Sequence, residues 1–122
     1  MEAKTLHLVL IRQYFDMIAA LIKKEEYRAI TPFWGKRFLA TIGLSCQFFN
    51  ENFSADGKLT IPNGYYKKFD TVTFTNGYAK NARRMVLEFK GIEIKEGNPA
   101  WGAEPGVKYF AIQLGKIISK NF

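Results

Sequence analysis

The stretch KKEEYRAITPFW, Lys23 to Trp34, decides how the chain is read. Its first six residues carry five charges, and it stands between two apolar segments. Over Glu25 to Ile30 the alternation is that of a short strand. Glu26 and Arg28 fall on one face, and Glu25, Tyr27 and Ala29 on the other. Opposite charges on one face can pair, so the strand is either a solvated edge or one wall of a charged pocket. Thr31 followed by Pro32 then starts a helix. The hydroxyl can cap free N–H groups, and Pro at the first helical position gives up a donor that has no partner there anyway.

Upstream, Thr5 to Ile11 is apolar and β-branched enough for a buried strand, in which the single His7 is expected as a core residue. Arg12 to Lys24 carries Phe15, Ile18, Ala19 and Ile22 at i, i+3, i+4 and i+7, one apolar helical stripe. The two lysines at its end would meet the negative pole of the helix dipole. Downstream, the second helix is expected to run to about Ile42, with Trp34, Phe38 and Ile42 on one stripe and Gly43 as its stop. Leu44 to Phe69 mixes turn signals with aromatics and reads as a peripheral insertion. Thr71 to Thr75, Ala82 to Ile94 and Tyr109 to Ile118 read as strands. Met85, Leu87 and Phe89 alternate in the second, and Phe110, Ile112 and Leu114 face inward in the third. Gly91 inside the long strand predicts a bulge or bend, while Glu88 and Lys90 are expected to face solvent. The architecture this predicts is α+β: a small, strongly bent mixed sheet, with two helices early in the chain and an insertion between the second helix and the third strand.

Composition limits what such a domain can do. At 122 residues the chain is one domain, long enough to bury roughly two thirds of its unfolded surface. Apolar residues at 48% and aromatics at 16% belong to a packed globule rather than a disordered chain. Eighteen Lys and Arg against eleven Asp and Glu leave a formal charge of +7, which attracts polyanions such as nucleic acid. The N-terminal apolar run is too short for a signal peptide, and no span is long enough to cross a bilayer; a cytoplasmic location with no membrane partner is expected. Cys46, the only cysteine, excludes an internal disulfide and reads as an ordinary thiol. With one His and one Cys, no metal-ligand spacing exists, and no Gly-rich phosphate loop of the Walker or Rossmann kind is present. No metal and no cofactor are expected.

The order strand, helix ending in Lys, then Lys23, Glu26 and Arg28 as K-x-x-E-x-R resembles the signature of the ASCH family, whose β-barrel is similar to the PUA RNA-binding domain. The tract FDTVTFTNGYAKNARRMVLEFKGIEI, the loop WGAEPG and the run YFAIQLGKII resemble corresponding parts of bacterial and phage members. The resemblance spans the chain except Leu44 to Lys68. It implies a single ASCH domain over residues 1–122, built as a PUA-like mixed β-barrel. Leu21 stands where many members have Gly, two residues before the motif lysine. Members are thought to bind RNA or modified nucleosides. A subset similar to the N4-acetylcytidine amidohydrolases uses a Lys, a Thr three residues later and a distant Glu. Here Lys23 matches the lysine, but Glu26 occupies the threonine position, and a carboxylate cannot take a hydroxyl's part in acyl transfer without another mechanism. Glu104 would stand in for the distant Glu. Other members resemble ribonucleases, for which Lys23, Tyr78 and Tyr109 would be the counterparts.

As binding groups these residues need no tuning. Arg28 can fork onto a phosphate or base edge, Lys23 can neutralise a phosphate, and Glu26 can accept from an exocyclic amine or a ribose hydroxyl. Trp34 and Trp101 offer stacking surfaces, with core packing as the alternative for each. The second constellation is NGYAKNARR, Asn76 to Arg84, where Lys80, Arg83 and Arg84 accompany Tyr78 on a turn. That combination suits unstacked RNA bases, with an ordinary solvated loop as the alternative. Lys36, Arg37, Lys67 and Lys68 would extend the same surface. Three functions compete. One is an RNA- or nucleotide-binding module whose pocket is lined by Lys23, Glu26, Arg28, the loop Asn76 to Lys80 and the loop Trp101 to Glu104. The second is a small hydrolase of RNA or of a modified nucleoside, with Lys23 as base and Glu26 or Glu104 as partner. The third is a protein-interaction module. Oligomeric state is not legible.

Overall fold

Leucines alternate through TLHLVL, and that alternation sets the first strand. The computed structural model describes residues 4–38 and 67–122, with five strands and two helices: β1 Thr5–Leu10, α1 Arg12–Ala19, β2 Glu25–Ala29, α2 Pro32–Phe38, β3 Thr71–Asn76, β4 Arg84–Glu96 and β5 Lys108–Lys120. The expected continuation of α2 to Ile42, Cys46 and the insertion from Leu44 as far as residue 66 lie outside the described residues. The strands order β1-β3-β4-β5-β2 in one sheet. β1 runs parallel to β3, Thr5 opposite Thr71 and Leu10 opposite Asn76. β3 runs antiparallel to β4, Val72 opposite Leu87 and Phe74 opposite Met85. The sheet is therefore mixed, and the fold is α+β. No described helix is long and apolar enough to cross a membrane.

Contacts divide the chain into two compact units, each discontinuous in sequence. The first holds Met1–Glu26, Phe69–Gly91 and Ile112–Phe122. Its core consists of Leu6, Leu8 and Leu10 from β1, Phe15 and Ile18 from α1, Val72 and Phe74 from β3, Met85 and Leu87 from β4, and Ile112 from β5. His7, between two of those leucines, points the other way and is exposed. This corrects its expected place in the core, because the side-chain period of two leaves no choice once the leucines are inside. The second unit holds Tyr27–Lys68 and Ile92–Ala111, with Phe38, Ile92, Ala103, Phe110 and Ala111 buried.

The end of α1 differs from expectation in an informative way. The helix stops at Ala19, not at Lys24, because the next residues form a Schellman turn. The Ile22 N–H donates to the Met17 carbonyl at 2.9 Å and the Leu21 N–H to the Ile18 carbonyl at 3.0 Å. Leu21 takes the left-handed position this turn requires, with φ of 62°. Ile22 is accordingly 58% exposed instead of lying on the apolar stripe. The Lys23 N–H also donates to the Met17 carbonyl, at 3.1 Å. The lysine thus follows immediately on the reversal and does not cap the helix dipole.

The cap of α2 is as the Thr-Pro pair predicts. The Trp34 N–H donates to Thr31 Oγ1 at 3.4 Å, and the Gly35 N–H to the Thr31 carbonyl at 2.8 Å. Gly91 has φ of 122° inside the continuous strand β4, a conformation that only glycine adopts readily. Farther along, Gly115 lies so close to Glu88 Cβ and Lys90 Cε that a methyl there would sit 2.7 and 2.8 Å from them. The missing side chain leaves room for Glu88 to reach over and accept from the Lys116 N–H at 2.9 Å.

Candidate functional site

The described contacts gather the sequence-predicted site residues into four local constellations. The first is the ion pair of the charged stretch. Lys23 Nζ lies 3.2 Å from Glu26 Oε1, with side-chain exposures of 1% and 7%. The ammonium also stands 4.9 Å from the centroid of the Tyr14 ring. Glu25, on the other face of the strand, is buried too, its carboxylate accepting from Gln113 Nε2. The sequence suggested a half-open charged cleft here, and the structure has a sealed pair. Desolvating both ions is costly and their attraction offsets much of it, so removing one alone would be severe. The opening alternatives of solvated edge and pocket wall therefore omit a third, in which the charged strand begins inside the protein.

The second constellation is Arg28 with Trp34. The guanidinium carbon of Arg28 stands 4.8 Å from the Trp34 ring centroid. Phe38 stacks on the same indole at 5.4 Å and 15°, and Phe33 meets it edge-on at 5.0 Å. Trp34 is half-buried, with Phe38, Phe33 and Arg28 as its neighbours, contacts of the kind that the core-packing reading of this residue expects.

The third is the loop after β4. Asn98 caps a short 3-10 turn, Pro99–Trp101, by accepting from the Ala100 N–H at 2.9 Å. Glu104, Pro105, Gly106 and Val107 then form a tight turn. Pro105 precedes Gly106 at φ of 78°, and the Val107 N–H donates to the Glu104 carbonyl at 3.3 Å. Two tyrosines hold this loop by their hydroxyls. Tyr27 Oη accepts from the Asn98 N–H and Tyr109 Oη from the Glu104 N–H, each at 3.0 Å, while the two rings pack at 5.6 Å. Gly97 is forced by this packing, since a methyl there would collide with Ala103 Cβ and the Tyr27 ring. Tyr109 thus braces the loop that presents Glu104, an exposed carboxylate, and Trp101, which is half-buried.

The fourth is the β3–β4 hairpin. Its loop is braced from several sides. The Asn76 N–H donates to the Arg83 carbonyl at 3.0 Å, the Gly77 N–H to the Leu10 carbonyl at 3.1 Å, and the Ala82 N–H to the Ala79 carbonyl at 3.0 Å. Ala82 is buried, and its carbonyl accepts from Asn121 Nδ2 at 3.3 Å. From this frame Tyr78 projects with 91% of its surface exposed, beside exposed Lys80 and Arg84. Arg83 is turned away from the tip. It pairs with Asp16 at 2.7 Å and lies 4.8 Å from the Phe15 ring. Asp16 in turn stands 3.7 Å from the exposed Arg12.

Sequence reasoning missed Tyr14, Asp16, Tyr27 and Gln113. Asp16 was legible, being four residues after Arg12 on a helix, and so was Tyr27, a large aromatic alternating with charges in β2. Tyr14 and Gln113 carry no such signal, because their roles depend on tertiary neighbours. Among the described residues no group of three or more His, Cys, Asp or Glu is arranged to hold a metal ion. No family model, curated protein or solved structure matches the chain.

Proposed function

We propose that the chain is an RNA- or nucleotide-binding domain of the PUA-like kind, similar to the ASCH family, and that the tip of the β3–β4 hairpin is its principal contact with an unpaired strand. The observation that carries this reading is Tyr78, 91% exposed on a loop tied to β1, β4 and Asn121. A large aromatic in water, on a loop whose two ends are hydrogen-bonded, gains nothing for the fold. It offers a ring face to a base without the entropy cost of ordering the loop. Lys80 and Arg84 beside it, and a formal charge of +7 on the chain, supply the phosphate contacts.

The resemblance gains support from the turn before the motif lysine. Leu21 adopts a left-handed conformation at the position where many members carry Gly, so the backbone is that of a glycine turn even though the residue is not. The alternative of a hydrolase needs the Lys23 ammonium to meet a substrate, and that group is 1% exposed and held by Glu26. Binding at the hairpin needs no such access.

The test is fluorescence anisotropy of a labelled single-stranded oligoribonucleotide against salt. Affinity is expected to fall with a log–log slope near −0.7 for each phosphate neutralised. Tyr78→Ala is expected to weaken binding about 5- to 150-fold, the range that corresponds to one stacked base at about 1–3 kcal/mol. Binding that ignores salt, or a Tyr78→Ala variant that binds as well as the parent, would remove the hairpin from the account.

A further inference from the structure

The three leucines of β1, with Val72, Phe74, Met85 and Leu87, are buried, so the residues between them on β1, β3 and β4 point to the opposite side of the sheet. That outward face lies wholly within the first unit. The pairing register arranges it in rows, each with a β3 threonine at its centre. Thr75 stands between Val9 and Arg84 in the row next to the hairpin. Thr73 stands between His7 and Val86 in the middle row, and Thr71 between Thr5 and Glu88 in the far one. Neighbours within a row are about 5 Å apart, and successive rows about 6.7 Å. The Thr5 and Thr73 hydroxyls meet at 2.9 Å across this face. His7 is exposed, and all three β3 threonines keep part of their surface in water. Charge falls off along the face. Arg84 is exposed in the row beside the tip, whereas the Glu88 carboxylate at the far end already accepts from the Lys116 N–H at 2.9 Å and from Lys90 at 3.5 Å.

We propose that this face is the bed along which an RNA strand continues from the hairpin tip, and that the Thr73 and Thr75 hydroxyls bond ribose 2′-hydroxyls, so that the protein selects RNA over DNA. This rests on the hairpin reading, and it names the part of the ligand which that reading leaves open, the sugar. A ribose 2′-hydroxyl is both donor and acceptor, and so is a threonine hydroxyl; an ammonium or a carboxylate matches only one side of it. The bond between Thr5 and Thr73 uses one hydrogen, which leaves both oxygens able to bond further. The spacing of the rows is close to the repeat of an extended nucleotide, so successive threonines meet successive sugars. Arg84, shared by the tip and the first row, serves the phosphate at the junction, and the exposed imidazole of His7 offers a ring to a base. A second copy of the chain fits these rows less well. They span about 10 Å by 13 Å between outer Cα positions, far below the roughly 800 Å² that each partner of a standard protein interface buries.

The test uses the full chain and three labelled strands of equal length: a short oligouridylate, its 2′-O-methyl form and the deoxyuridine strand. Affinities are read by fluorescence anisotropy. The bed predicts that the parent binds the ribose strand about fivefold or more tighter than either of the others, the scale of one or two added hydrogen bonds. Valine keeps the branched shape that suits a strand and removes only the hydroxyl. Thr73→Val/Thr75→Val is therefore expected to bring the three strands within about twofold of one another, while the deoxyuridine strand binds as it does to the parent. Thr73→Ser/Thr75→Ser, which restores the hydroxyls, should restore the preference. Equal binding of the three strands by the parent would overturn the bed, and so would a valine variant that keeps the preference or weakens all three strands alike. A parent that sediments as a dimer and becomes monomeric on His7→Glu would give the face to a second copy and also overturn it. If Tyr78→Ala weakens every strand while the parent shows no preference among them, the bed fails and the hairpin reading stands. A ribose preference lost with the valines, in a protein that Tyr78→Ala leaves binding as the parent does, would keep the bed and end the hairpin reading.

Discussion

Replacing Lys23 by Met separates a structural ion pair from an accessible one. The ammonium is 1% exposed and sits 3.2 Å from a Glu26 carboxylate that is itself 7% exposed. Lys23→Met keeps most of the side chain's length and leaves the carboxylate buried without that partner. Breaking a buried pair from one side typically costs about 3–5 kcal/mol, most of it the penalty for the remaining charge. For a domain of this size, about 4 °C of melting temperature corresponds to 1 kcal/mol, so the expected loss is about 12–20 °C. A domain's whole stability is only about 5–15 kcal/mol, so the single variant will be near the edge of folding. The double variant Lys23→Met/Glu26→Leu removes both charges and should recover most of that loss, since apolar replacement of a buried pair is often neutral or better. Calorimetry or urea denaturation of the parent, both single variants and the double variant closes the cycle. A loss below about 1 kcal/mol for Lys23→Met, the range of exposed pairs, would refute the reasoning. So would a double variant no more stable than the singles.

Three further predictions follow from the same geometry. Leu21→Gly should stabilise the protein by about 0.5–1 kcal/mol, because relief of a left-handed leucine outweighs the added chain entropy and the side chain is already half in water; an unchanged or lower urea midpoint would contradict this. Gly97→Ala should cost about 1–3 kcal/mol by driving a methyl into Ala103 and the Tyr27 ring, and the Asn98 and Glu104 amides should lose protection from hydrogen exchange with it; a neutral substitution would show that the loop yields freely. Glu88 is held below its usual pKa of 4.5, foremost by the Lys116 backbone N–H, against opposing desolvation, with Lys90 adding to the lowering. A depressed carboxyl pKa stabilises the fold above the unfolded value and ceases to do so as pH falls through the folded one. The stability gap between the parent and Glu88→Gln should thus be present at pH 6 and shrink below about pH 4.5, and a gap independent of pH would refute the contact.

How much of this was legible in the sequence differs from element to element. The period-two leucines of β1, the alternation of β4 and the Thr-Pro cap of α2 were readable, because each depends on neighbours a few residues away. The end of α1 was not, because the apolar stripe runs on through Ile22 while a left-handed leucine, with no Gly to announce it, reverses the chain at residue 21. His7 was misplaced because burial was assigned to the strand as a whole instead of to one face. In the candidate site, sequence put Lys23 beside Glu26 and put Tyr78 on a basic loop. It could not show that the first pair is sealed and the second exposed, since that depends on Tyr14, Gln113 and Asn121, all distant in the chain or silent in pattern. Arg83 and Arg84 looked equivalent in sequence, and only the tertiary placement of Asp16 separates them.

The account's central claim is that an unpaired RNA strand meets the protein at the tip of the β3–β4 hairpin. The direct measurement is a two-dimensional 15N–1H spectrum of the chain recorded during titration with a short single-stranded oligoribonucleotide at low salt. The account predicts that backbone amides from Gly77 to Arg84 shift most, with ring-current changes around Tyr78, and that the shifts reverse as salt is raised. Shifts that leave this loop untouched, or a spectrum that does not change at all, would contradict it.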